Sequence, residues 1–220
     1  MSRLLFSLVA VLCLCTRWAV ATLTSGEIAN SLNELAQQGF AAKNLVLAIN
    51  STADPGPISD IYTQIDTMVA VVLTDVKFMT NTPIITDQAE EQDVYEGYSN
   101  FVQSLFELMD ALSSSAAQLK SINQTTKTKI PSEIRILQSA VDIGDEMLIP
   151  RKAYFYNIIG LFPANSSYNA QANNQKAQVD MHCFQAVWAF DLSYGNSNQA
   201  IFQKRSDNSL HSRRMKRGSL

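Results

Sequence analysis

Histidine and cysteine are scarce in this chain of 220 residues: there are two of the first and three of the second. No H-E-x-x-H stretch, G-x-S-x-G elbow, phosphate-cradling glycine loop or metal-spaced cysteine pair occurs. Each absence removes a chemistry that depends on that arrangement. His182 and Cys183 are adjacent, but neighbouring side chains on a helix diverge by about 100° and do not converge on one ion. His182 reads as a surface histidine beside a buried small thiol, with an intermolecular disulfide through Cys183 as the alternative. Glu90, Glu91, Asp93 and Glu96 fall where a solvated helix face puts them, and Asp75 reads as a boundary residue beside Val72 and Val76. The expectation is a chain with no catalytic residue, no metal and no cofactor, and therefore not an enzyme.

Long hydrophobic runs are also missing. The longest, LLFSLVAVLCLC, spans 12 positions after Arg3, short of the about 20 residues a membrane span needs. With small residues at Ala19 and Ala21 it has the form of a secretory signal peptide cut after Ala21. The organisation expected is a signal peptide over 1–21, one domain over 22–193 and a disordered basic tail over 194–220, with no transmembrane segment. Cys13 and Cys15 leave with the leader, so Cys183 alone remains and no internal disulfide framework exists. A secreted, extracellular or cell-wall location follows. Sequons at Asn50, Asn123 and Asn165 fit a glycoprotein.

Positive charge is scarce in the body. Residues 22–203 hold 9 lysines and arginines against 19 acidic residues, whereas 204–220 hold 6 basic residues and Asp207. An acidic body argues against nucleic acid as a partner. The dibasic pairs Lys204-Arg205, Arg213-Arg214 and Lys216-Arg217 fit either processing sites or a solvated tail that touches anionic polysaccharide or a membrane surface.

What the sequence has in quantity is helical periodicity. Five segments carry apolar residues at steps of three and four: about 26–49, 58–79, 87–119, a fourth opened by Pro131 and a fifth over about 170–190. Thr24 and Glu27 form a capping box for the first. The fourth carries Ile134, Leu137, Val141 and Leu148 inward, and Pro150 ends or kinks it before KAYFYNIIGLFP. Nothing alternates with period two. The fold class expected is all-α, an antiparallel bundle of four to five amphipathic helices.

The order of these segments carries a resemblance. IANSLNELAQQGFAAKNLVLAI precedes a Gly/Pro turn and PISDIYTQIDTMVAVVLTDV. An acidic start then leads into YSNFVQSLFELMDALSSSAAQL and IPSEIRILQSAVDIGDEMLIP. Residues 26–150 resemble the fungal hydrophobic surface-binding protein family, which includes the cell-wall galactomannoproteins. The resemblance implies a secreted or wall-associated bundle that binds fatty acids or adsorbs to hydrophobic surfaces. It supplies no individual ligand residues.

One stretch frames the functional question. Phe101, Leu105, Leu108 and Leu112 form one stripe, and Val102, Phe106 and Met109 a second beside it, an apolar arc roughly 160° wide. Two neighbouring helices alone can use that width. Alternatively, part of it lines a tunnel with Ile65, Met68, Val72, Phe101, Leu105, Leu108, Leu137 and Val141, aided by the flexible Met68, Met79, Met109 and Met147. The ligand would then be a fatty acid or other apolar small molecule. A pocket-free alternative is adhesion through an exposed Tyr154 to Phe162 segment. Another is a secreted helical effector or structural cell-wall glycoprotein acting by protein–protein contacts.

Overall fold

The computed structural model describes residues 22–49, 57–79, 81–141 and 154–191. Within them are six helices and no strand: α1 (Ser25–Leu47), α2 (Pro57–Met79), α3 (Gln88–Ile122), α4 (Gln124–Val141), α5 (Tyr154–Ile159) and α6 (Ser167–Phe190). The all-α expectation holds. The leader with Ala21, the Asn50 sequon, Met147, Leu148, Pro150 and the tail over 194–220 lie outside the described residues.

Local chemistry sets the helix starts. Thr24 accepts from the Glu27 amide while the Glu27 carboxylate accepts from the Thr24 amide, the expected capping box. The hydrogen bond from the Thr24 amide holds the Glu27 carboxyl below its ordinary pKa. Asp87 caps α3 through the amides of Ala89 and Glu90. Ser166 caps α6 through the Tyr168 amide at 3.1 Å, so this helix starts three residues earlier than its apolar pattern does.

One local expectation needs correction. The stretch ahead of Pro131 is helical rather than a loop, because extended Asn123 ends α3 and its side chain accepts from the Thr126 amide at 2.7 Å, starting α4. Pro131 then sits inside α4. It forfeits one backbone hydrogen bond, a loss offset by burial of Ile130, Ile134 and Leu137 on the inner face. Within the aromatic segment, Tyr154–Ile159 form the short helix α5.

α3 is the central helix, packed along α1 and α6, while α2 bridges α1 to α4 and α4 returns to α6. This ring of five helices encloses one continuous apolar core. α5 packs on α2, α4 and α6, and its Tyr154 and Phe155 meet the Phe101 ring edge-on or tilted at 6.2 and 6.0 Å.

Candidate functional site

All eight residues expected to line a tunnel are buried, and they share that single core. Ile65, Met68 and Val72 come from α2, Phe101, Leu105 and Leu108 from α3, and Leu137 and Val141 from α4. Their spacing places them on inner faces because steps of three and four keep side chains within one helical stripe. They lie in the same buried cluster as Tyr98, Tyr154 and Phe155. The wide arc on α3 is used by two neighbours: α1 on one side and α6 on the other. At the edge next to α6, Phe106 stacks on His182 with ring centroids 4.5 Å apart, and the His182 Nδ1 lies 2.9 Å from Asp110. His182 therefore ties α6 to α3. Cys183 is buried.

Asp75 is not the solvated boundary residue its sequence context implied. It retains only 9% of its accessible surface, and its carboxylate accepts from the Ser31 hydroxyl at 2.5 Å and the Tyr154 hydroxyl at 3.3 Å. Burial pushes its pKa up, against the lowering effect of both hydroxyl donors, and the Glu34 charge adds to the rise. Burial also drives the phenol of Tyr154 well above its ordinary value, with the Asp75 charge a further cause. Three elements, α1, α2 and α5, thus converge on one polar cluster within an apolar interior. A signal for it was present: Met68, Val72, Asp75 and Met79 follow the buried stripe of α2, so the aspartate holds a core position.

The Tyr154 to Phe162 segment is not an exposed adhesive patch. Tyr154, Phe155, Ile158, Ile159, Leu161 and Phe162 are all buried, and only Tyr156 is turned outward, with Lys176 above its ring at 4.7 Å. The Ile85 amide donates to the Leu161 carbonyl at 2.8 Å and fixes the far end of the segment. Of the expected glycosylation sites, Asn165 is an exposed turn residue and Asn123 an exposed junction residue. No group of three or more metal-ligating side chains and no helix able to cross a membrane is found among the described residues.

With this geometry in hand, solved structures give the decisive comparison. The chain is similar to the crystal structure of AFMP4P in complex with palmitic acid, with a TM-score of 0.63 at 12% identity. The match covers 76% of this chain and 100% of that one. It is also similar to ligand binding domain 1 of the Penicillium marneffei MP1 protein complexed with arachidonic acids. There the TM-score is 0.61 at 11% identity, covering 77% of this chain and 100% of the other. The likeness is one of fold. No protein-family model and no curated protein matches the sequence.

Proposed function

We propose that this protein is a non-enzymatic, secreted binder of long-chain fatty acids or similar apolar molecules, of fungal cell-wall type. The observation that carries the reading is the fold shared along the full length of two proteins whose structures hold palmitic and arachidonic acids. The enclosed apolar core supports it, because its walls need only separate to admit a chain. The ligand would lie among Ile65, Met68, Val72, Phe101, Leu105, Leu108, Leu137 and Val141. Burying ~14 methylenes at ~0.8 kcal/mol each contributes on the order of 10 kcal/mol. Ordering and association costs leave a micromolar to nanomolar ligand. The leader, the sequons and the resemblance of residues 26–150 support secretion and wall association, and the basic tail is suited to wall polysaccharide.

Native mass spectrometry of the secreted, deglycosylated protein, followed by lipid analysis after denaturation, tests the reading. A stoichiometric fatty acid is expected. An empty protein that also takes up no added palmitate would overturn it.

A second reading, adsorption to hydrophobic surfaces, draws on a different face. Met181 and Phe184 are about half exposed on α6, and Phe184 lies 5.2 Å from the Trp188 ring. Charged substitution of Met181 and Phe184 would abolish adsorption while leaving fatty-acid uptake intact.

A further inference from the structure

The two ends of α5 are fastened by different chemistry. Beyond its last turn, the Ile85 amide donates to the Leu161 carbonyl at 2.8 Å. The Asn169 side chain donates to the Ile159 and Phe162 carbonyls at 3.0 and 3.3 Å. Amide bonds of this kind are indifferent to pH. At its first residue, the Tyr154 hydroxyl donates instead to the Asp75 carboxyl on α2, 3.3 Å away. Between the two ends, Tyr154 and Phe155 pack on Phe101. Phe101, and Val72 a turn before Asp75, belong to the interior proposed for the ligand.

Asp75 is placed to sense a proton. Ser31 on α1 donates to the same carboxyl oxygen, Oδ2, from 2.5 Å. A neutral carboxyl keeps both bonds, because its own proton occupies the other oxygen. Ionisation leaves a charge on a residue only 9% exposed, which is costly. Around α2, α1 presents Glu34, whose charge opposes ionisation, and α5 presents the phenol of Tyr154. α4 presents Glu133, with Lys129 at 4.0 Å, opposite Asp66 and about two and a half turns from Asp75. Burial outweighs the two hydroxyl donors, and Asp75 holds its proton more tightly than an ordinary aspartate. A displaced α5 would expose the carboxyl to water and remove that cost.

We propose that Tyr154 and Asp75 form a pH-sensitive latch on α5, closed while the carboxyl is neutral and released as it ionises. The first turn of α5 then swings away from α2 about the Ile159–Phe162 anchor, opening the interior beside Phe101 and Val72. The closed form binds the proton more tightly than the open one, so closure is fully favoured below about pH 4. The preference declines as pH rises through the higher closed-state value. The latch itself needs no ligand; its role in uptake rests on the fatty-acid reading above.

The test places a thiol on α5 by Ile158→Cys and uses buried Cys183 on α6 as the internal reference. Iodoacetamide labelling of both in the full secreted chain is read by peptide mass spectrometry. Their ratio cancels the pH dependence of the thiol chemistry. It should rise from acid to neutral pH by up to about tenfold per pH unit, the limit for one proton. Adding Asp75→Asn, nearly isosteric and unable to ionise, should flatten that rise. Should this variant fail to fold, Ser31→Ala, which withdraws one donor from the ionised carboxyl, should extend the rise to higher pH. Tyr154→Phe should raise the ratio about fivefold even in acid, the loss of one neutral hydrogen bond. A ratio independent of pH, or a rise that survives Asp75→Asn, would refute the latch and leave the fatty-acid reading standing. Hexadecanol, which carries no titrating group, should enter faster at neutral pH than in acid, and at one rate in Asp75→Asn. Equal rates in the unaltered chain would refute the role in uptake. A latch that responds as described in a chain that takes up neither hexadecanol nor palmitate would sink the fatty-acid reading alone.

Discussion

Where α1 crosses α3, a methyl group built on Gly39 would stand 2.4 Å from the Ser104 hydroxyl, and one on Gly97 would stand 3.1 Å from the Ala29 carbonyl. Where α2 meets α4 and α5, the core is filled instead by Met68, Met79, Tyr154 and Phe155, and contains the buried carboxyls Asp75 and Glu133. The first seam is close and leaves no room for an added methyl group. The second combines adaptable side chains with polar groups that are costly to bury. On the fatty-acid reading proposed above, the difference assigns the walls expected to part to α2, α4 and α5, with α1 and α3 as the fixed frame.

The largest expected effect breaks the fixed frame. Gly39→Val should destabilise by about 3 kcal/mol through overpacking against Ser104, seen as a lower urea midpoint with an unchanged slope. The milder Gly39→Ala should be partly rescued by Ser104→Gly, and additive losses would show that the two do not touch. Next comes the movable side: Val141→Trp on α4 should abolish interior fatty-acid uptake at nearly full helicity, whereas Gly97→Ala should lower stability without changing affinity. Equal losses of affinity in both would erase the distinction between frame and wall.

The polar groups give a third test through pH. Burial raises the pKa of both Asp75 and Glu133, so the folded state binds these protons more tightly than the unfolded chain does. Their contribution to stability is therefore fully present below the unfolded carboxyl values of about 4. It is lost as pH rises through the higher folded values. Asp75→Asn should flatten that decline in chemical denaturation measured between acid and neutral pH. The smallest effect belongs to the frame's surface. Lys43 reaches Glu107 at 2.7 Å, but both are partly solvated, and Lys43→Met should leave the unfolding midpoint nearly unchanged.

Much of the architecture was legible because a stripe at steps of three and four needs no knowledge of its neighbours. The first three helices, the Thr24–Glu27 capping box and the burial of all eight candidate lining residues were readable on that basis. Pro131 misplaced the start of α4 because a proline signal is strong locally, while the competing cap from Asn123 acts through one side chain. Ser104 lies on the polar side of its helix in sequence, yet it is fully buried, since a glycine on another helix lets the two backbones approach.

By itself, the sequence determined an all-helical bundle with few reactive groups, an apolar interior and a family-like order of segments. Only the tertiary structure decided that Asp75 is buried with Ser31 and Tyr154, and that the aromatic segment packs inward. Helical periodicity reports which face of one element avoids water. The partners of a polar group depend on contacts between elements 44 and 79 residues apart, and no local pattern encodes them.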